Sequence, residues 1–504
     1  MKQTLLRPFV LAALIVLFLW PAVWNRGPFY FIDTRTYMRS EDAAINRLTH
    51  HRTAWTADNE ESAAPASAAA QTADQSLHNV GEARTRSLED IKKKGIVLGR
   101  SLYYGLVLYA GAITTQFWLT IVFQAAVLLL TLYLTLRALL IPVWPAVAWL
   151  CLGLCVLSDV AFFTSYLMPD LFAGITILCC AILLSIRHRL TRMEYALWFL
   201  LLTFSLLSHD TCLLISTLFL GLAIVINLFR RSWGNLEGLA LILLAAISAY
   251  AGQSLVTYGV ARATGQQPLR FPLIEARLVA DSPGTNFLRA TCPQSHFMLC
   301  EYVNEFPMSS YDFLFGTDPG KSVYEMATYD RRRALSNEQF RFLFAVLRYD
   351  PAGFLKASFR NTAGQFLDFK LSSFRYGVVE KDTMDRTFPL QVLTQIHRGA
   401  AYRGTMPTPA LTVLEYVFAI GSVVYLLLAI SRQLPGRTMS KTVKWIFFWV
   451  AAGVVLNAAI CGGISAIESR YQARVVWLLP LVALLVESQL RFRRGNNLAL
   501  QCTP

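Results

Sequence analysis

The sequence predicts an all-α polytopic membrane protein of about ten transmembrane helices, with a small α-rich extracytoplasmic domain inserted before the last three spans. Three observations predict it. The 504 residues are 55% hydrophobic and 15% charged, and mean hydropathy is +0.44, so there is too little charge to cover a soluble protein of this length. The apolar residues fall into blocks of about 18–22, each long enough to cross the roughly 30 Å hydrocarbon core as a helix. The basic residues behind the net charge of +14 gather at the ends of these blocks, where they read as orientation signals. Zinc-type cysteine spacing, a P-loop and GxGxxG are all missing, so the sequence points to no nucleic-acid partner.

The first block, Pro8 to Trp24, follows Lys2 and Arg7. It lacks an A-x-A-like cleavage site and ends on Trp20 and Trp24, which suit an interfacial belt, so it reads as an uncleaved span. Further blocks lie near 116–136, 145–164, 168–186, 194–208, 211–229, 236–257, 411–430, 443–464 and 472–488, and 101–113 is apolar enough to dip into the bilayer. An even number of spans puts both termini in the cytoplasm. The loops then expected inside are basic and short: Arg187 to Arg192, Arg230-Arg231, Arg432 to Lys444, and Arg491 to Arg494. The turns expected outside near 165–169 and 209–210 carry no Lys or Arg, while the turn at 465–474 breaks the rule with Arg470 and Arg474.

This divides the chain into an N-terminal membrane module (1–257), an extracytoplasmic domain (258–410) and a C-terminal membrane module with a basic tail (411–504). The long first outer loop, 25–115, opens with a helix over Thr34 to Leu48. It continues through an Ala/Ser/Thr/Gln-rich stretch, Thr53 to Leu77, that buries too little apolar surface to offset its ordering entropy. In the outer domain Ser336 is expected to cap a helix from Asn337 to Tyr349, and Pro351 to open one running to Phe369. Cys292 and Cys300, with seven residues between them in a non-cytoplasmic domain, are expected to form a disulfide, since two ligands do not make a zinc site.

Ionisable residues are costly in a membrane, so their placement is informative. Asp33, Asp170, His209, Asp210, Glu468, Arg470, Tyr471 and Arg474 all map to one side of the membrane, whereas the span centres offer little beyond the amides Gln124 and Asn457. A plainer account exists for each. Asp33, Asp170 and Asp210 precede helices, where Asp caps free N–H groups. His209 can rest at the interface, and the arginines can anchor lipid phosphates. As a set, they suit group transfer from a phosphate-linked lipid. A carboxylate takes the proton of an acceptor hydroxyl, and arginines stabilise the departing phosphate.

The Asp33-Thr34-x-x-Tyr37 start of the first loop, Tyr166 to Phe172, Ser208-His209-Asp210 and Glu468 to Arg474 before Trp477-Leu478-Leu479-Pro480 resemble the GT-C class of polyprenyl-phosphate-sugar-dependent glycosyltransferases, in an uncharacterised bacterial branch. The resemblance covers most of the membrane part and not the outer domain. It implies an inverting transfer to an envelope glycan or lipid acceptor at a bacterial inner membrane. Asp33 would be the base and Asp170 or Asp210 the second acid, while Tyr37, Arg100, His209, Asp210, Arg470, Tyr471 and Arg474 would bind substrate. The first loop lacks the family's closely spaced acid pair, and Glu41-Asp42 comes only eight residues later, which leaves a divalent cation open. Other readings are a lipid-linked glycan ligase or polymerase, a glycan or lipid transporter, and a non-catalytic component of an export assembly.

Overall fold

Where each helix starts and stops follows from a few punctuating residues. The computed structural model describes residues 2–56, 95–186, 190–316, 322–434 and 439–501. Among these there is no strand, and the regular structure is helical. Ile91 to Lys94, Arg187 to Arg189, Cys502 and most of the Ala/Ser-rich stretch lie outside the described residues.

The chain opens with α1 (Lys2–Phe18) and α2 (Trp20–Asn25), the second starting where Pro21 fits a first helical turn. After α3 (Ile32–Thr49) come α4 (Leu102–Thr115), α5 (Trp118–Ala138), α6 (Val143–Leu157), α7 (Val160–Thr164), α8 (Leu171–Ser185), α9 (Arg192–Ser208), α10 (Asp210–Arg230) and α11 (Leu236–Thr264). More polar and mostly shorter helices follow: α12 (Leu273–Ala280), α13 (Pro283–Thr291), α14 (Ser310–Phe315), α15 (Tyr329–Tyr349), α16 (Pro351–Leu367), α17 (Val378–Thr387), α18 (Leu390–Arg398) and α19 (Ala400–Arg403). The chain then returns to long apolar helices, α20 (Thr408–Ile430), α21 (Lys441–Ile464) and the nearly continuous pair α22 (Ser469–Val476) and α23 (Leu478–Gln501).

Among the described residues, six stretches are long and apolar enough to cross a membrane: α5, α10, α11, α20, α21 and Ser469–Phe492. This is compatible with a multi-pass membrane protein, but it is fewer than the ten blocks counted in the sequence. Arg7–Phe18, Val143–Leu157 and Leu171–Ser185 are shorter apolar helices, and so is α4, the apolar stretch at 101–113. The block at 145–164 breaks at Ser158 and Asp159, and Pro169 delays the next helix to Leu171. In the block at 194–208, α9 has 17 residues and opens on Arg192 and Glu194.

Helix α8 is the hub. It is apolar on every side, and all its residues from Leu171 to Ser185 are buried. It packs on α9, α10 and α21, with Gly453 of α21 admitting Ile177 and Phe219 against its backbone. Residues 276–346 hold a second, smaller core around Leu288, Phe313, Val323, Tyr324, Leu335 and Phe342. Cys292 and Cys300 are disulfide-bonded there, with Cα atoms 5.5 Å apart.

The helix expected to start after Ser336 begins seven residues earlier, at Tyr329, because Thr328 adopts the extended N-cap conformation. Ser336 instead turns its hydroxyl to the Arg332 and Arg270 carbonyls, at 2.8 and 2.6 Å. Pro351 does occupy the first turn of α16, which is capped by the Asp350 carboxylate. α16 lies along α21, where Gly462 lets the Asn361 carbonyl approach.

Candidate functional site

Two stretches far apart in sequence are stitched together to make the site. Phe29 and Tyr166 form a parallel bridge, with Phe29 N–H donating to the Ser165 carbonyl and Leu167 N–H to the Phe29 carbonyl, both at 2.9 Å. One step on, the Thr34 hydroxyl donates to the Leu167 carbonyl at 3.1 Å. This brings Asp33, in the first turn of α3, alongside Asp170 at the mouth of α8. Gln124 of α5 holds the second stretch from below, its amide donating to the Thr164 and Tyr166 carbonyls at 3.1 and 2.8 Å.

Helix α22 brings the arginines. Arg470 and Arg474 are one turn apart and therefore share a face. From α16, Gln365 clasps the entry to this helix, donating to the Glu468 carbonyl at 2.8 Å and accepting the Glu468 N–H at 3.0 Å. From α21, Asn457 donates to the Tyr471 carbonyl at 2.6 Å and accepts from Arg474 Nη2 at 3.2 Å. Gln124 and Asn457, the amides noted as span-centre candidates, thus hold the site's backbone in place.

Asp170 does not cap its helix. It sits at the N-cap position without a side-chain capping bond, and Arg474 Nη1 donates to its Oδ1 at 3.3 Å. Arg470 Nε lies 4.0 Å from the same oxygen, and the side chains of all three residues are at most 8% exposed. The Arg470 guanidinium also lies 4.0 Å over the Phe31 ring, and the Tyr471 ring faces both arginines. Asp33 pairs with Arg100 at 2.6 Å, and this second pair is about a quarter exposed (24% and 28%).

The two ion pairs belong to one electrostatic cluster. The charges of Arg100, Asp33, Asp170 and Arg470 all act on the Tyr37 phenol, whose pKa is raised chiefly by burial. Burial also pushes the His209 imidazole well below its usual range, helped by Arg474, Arg100 and Arg470. His209 is therefore neutral. Its Nδ1 accepts the Thr211 N–H at 3.1 Å, so the proton sits on Nε2. Three guanidiniums meet the carboxylates of Asp33 and Asp170 with a neutral histidine beside them, and Arg470 also acts on the Glu468 carboxyl. The Nε atoms of Arg100 and Arg474 are buried without a partner among the described residues. A site with clustered guanidiniums and those spare donors favours an anion.

Of the residues singled out from sequence, Asp33, Tyr37, Arg100, Asp170, His209, Arg470, Tyr471 and Arg474 come together. Asp210 does not join them. It is exposed and accepts from Gln253 Nε2 at 3.1 Å. Glu41 stands about two turns after Asp33 on α3, buried, with Oε1 unpartnered among the described residues, in the space that Gly105 of α4 leaves. Burial pushes its pKa up to about 8. Asp42 serves the fold, accepting the Thr53 and Thr56 hydroxyls at 2.5 and 2.7 Å. The reading from sequence gave no site role to Tyr166, whose hydroxyl accepts from Arg470 Nη1 at 3.4 Å, or to Tyr104, whose ring meets Tyr37 at 5.5 Å. The aromatic density around Asp33 and Asp170 was the available signal for both. No three His, Cys, Asp or Glu side chains gather as a metal site among the described residues. Compared with known proteins, the chain matches no family model, no curated protein and no solved structure.

Proposed function

We propose that this chain is a membrane glycosyltransferase that moves a sugar from a polyprenyl-phosphate donor to a glycan or lipid acceptor at the non-cytoplasmic face. The observation that carries the proposal is the joined pair of ion pairs, Asp33–Arg100 and Asp170–Arg474/Arg470, which clusters three guanidiniums beside apolar helices. The donor phosphate takes Arg100, Arg470 and Arg474 as its ligands, which draws Arg100 away from Asp33. The freed Asp33 carboxylate accepts the proton of the acceptor hydroxyl. That oxygen attacks the anomeric carbon, the bond from carbon to the phosphate oxygen breaks, and polyprenyl phosphate leaves with the electron pair. Tyr37, Tyr166 and Tyr471 wall the site, and neutral His209 offers its Nε2 proton to an oxygen of donor or acceptor. The hydrocarbon tail lies along the lipid-facing sides of the neighbouring helices.

The test is purified protein supplied with polyprenyl-phosphate sugars and candidate acceptors, wild type beside Asp33→Asn and Arg470→Ala. Donor-dependent transfer that disappears in both variants supports the proposal. Transfer that survives Asp33→Asn overturns the role given to that base.

A second reading, an ion-coupled carrier of lipid or glycan, has one observation in its favour. Asp159 and Glu415, the latter inside the apolar helix α20, form a buried carboxyl pair; Glu415 accepts the Asp159 backbone N–H, and neither Asp159 carboxyl oxygen nor Glu415 Oε1 has a partner among the described residues. Acids inside a membrane mark ion or proton paths in carriers. Lipid movement across vesicles that needs Glu415, in the absence of sugar transfer, would establish that reading instead.

A further inference from the structure

A second recess lies between the α4–α5 corner and α18, apart from the arginine cluster. It has a volume of about 480 Å³ and is lined by Gln116, Leu390, Gln391, Thr394, Gln395 and Arg398. Pockets of this size accommodate small-molecule ligands.

The corner that forms one wall is backbone-strained. Gln116 and Phe117 are consecutive non-glycine residues with φ of +53° and +71°, the left-handed region that L side chains disfavour. Such conformations persist where the surroundings over-determine them, and they cluster at ligand clamps. Here the Phe117 N–H bonds the Gly111 carbonyl at 2.8 Å, and the buried Phe117 ring meets Tyr30 edge-on at 5.6 Å. The double turn reverses the chain between two apolar helices and leaves Gln116 on the recess wall.

The facing wall is one side of α18. Val392, Leu393 and Ile396 bury the opposite side. Gln391, Thr394, Gln395 and Arg398 follow at i, i+3, i+4 and i+7, so they share the face turned to the recess. The Tyr30 hydroxyl donates to Gln395 Oε1 at 3.1 Å, which orients that amide with its N–H₂ as the spare donor.

The lining decides what kind of ligand fits. The side-chain amides of Gln116, Gln391 and Gln395 offer donors and acceptors of the kind that ring hydroxyls take, with Gln395 Oε1 already bonded to Tyr30 and the Thr394 hydroxyl donating to the Gln391 carbonyl at 2.8 Å. Leu390 offers an apolar surface to C–H groups. A lone Arg398 is thin provision for a phosphate, and no carboxylate or imidazole lines the recess to hold a cation. A hydrocarbon tail would leave the amides unpaired.

We propose that this recess binds neutral saccharide units of a glycan. Tyr30 both fixes Gln395 and lies three residues before Asp33, so one segment of chain carries a support of the recess wall and one member of the Asp33–Arg100 pair, and on that ground the recess is assigned to the glycan acceptor. That assignment as the acceptor's holding site rests on the transferase reading. The binding itself does not.

The experiment uses full-length protein in detergent micelles on an array of neutral and acidic oligosaccharides, with hits measured by titration. Gln391→Ala/Gln395→Ala and Gln116→Ala are compared with wild type, and unfolding curves check that each variant is folded. At least one neutral oligosaccharide binds, and the double variant weakens it about tenfold or more, as losing two neutral hydrogen bonds implies. Three results overturn the proposal: no binding to any glycan, binding to acidic glycans alone, or binding that both variants leave unchanged. Neutral-glycan binding without sugar transfer sinks the transferase reading and leaves this site standing. Transfer with an acceptor KM unchanged in the double variant keeps the transferase and removes the recess from it.

Discussion

Replacing Asp170 by Asn takes the carboxylate from between two buried guanidiniums and leaves the surrounding shape nearly intact. Its Oδ1 lies 3.3 Å from Arg474 Nη1 and 4.0 Å from Arg470 Nε, in a setting where the three side chains are 1–8% exposed. Removing one partner of a buried ion pair costs roughly 3–5 kcal/mol, because the remaining charge stays desolvated. The Asn amide oxygen still accepts one bond, Arg474 keeps Asn457 at 3.2 Å, and Arg470 keeps the Phe31 ring. The loss therefore falls at the lower end, about 3 kcal/mol. Asp170→Leu combined with Arg474→Met removes both charges and is expected to restore most of that stability, since an apolar replacement of a buried pair is often neutral. Binding of the polyprenyl-phosphate donor is expected to fail in both proteins, because the double variant has lost a phosphate ligand. Unfolding of the detergent-solubilised protein reads the first quantity, and donor binding by titration reads the second. If Asp170→Asn is as stable as wild type, the pair is not a buried structural charge. If the double variant still binds donor like wild type, the anion site has been misassigned.

Asp33→Asn is expected to change stability by no more than about 1 kcal/mol, since its pair with Arg100 is a quarter exposed. The same variant is expected to slow transfer roughly 10²- to 10⁴-fold, the usual contribution of a general base, as initial rates at saturating donor will show. Glu41 carries a pH dependence of known sign. Its folded pKa of about 8 lies above the 4.5 of the free group, so the folded state holds the proton longer. Stability falls as pH rises from about 4.5 to about 8 and is flat on either side. Glu41→Gln is expected to abolish that slope and to exceed wild type above pH 8 by up to about 5 kcal/mol, an upper bound from the shift. Unfolding profiles across this pH range that superimpose for the two proteins would contradict it. Glu415→Gln relieves the repulsion between two buried carboxyls, and it is expected to leave apparent Tm equal to or above wild type. A large drop in Tm would mean that Glu415 has a cationic partner.

Helix positions were legible where composition alone decides them. The long apolar helices α5, α10, α11, α20 and α21 match blocks read by length and apolarity, because a span must satisfy its own backbone. The remaining blocks hold shorter helices, and window hydropathy does not register a single break such as Ser158-Asp159, which splits α6 from α7. For the same reason Glu415 was invisible, since one acid barely lowers an apolar window. Ser336 looked like a cap because serine before a helical run usually is one, but the preceding turn was helical already. Within the site, charge at span ends was enough to suspect Asp33, Asp170, Arg470 and Arg474. Whether Asp170 caps a helix or meets a charge depends on a residue 304 positions away, which no local pattern encodes. The amides of Gln124, Gln365 and Asn457 were illegible as supports, since their partners are backbone carbonyls and amides of distant segments.

The unequal exposure of the two ion pairs suggests an order of events. Asp33 and Arg100 have contact with solvent, whereas Asp170, Arg470 and Arg474 have almost none. Separating the outer pair costs little, because water compensates each charge as it is released. Separating the inner pair leaves charges uncompensated, so it stays closed until an anion replaces Asp170. On the proposed transferase reading, an arriving phosphate would meet Arg100 first, free Asp33, and then reach the spare Nε of Arg474. On this ordering, Arg100→Ala lowers the donor association rate, whereas Arg474→Ala raises its dissociation rate. Stopped-flow binding separates the two effects. Equal changes in both rates for both variants would show that the pairs open together.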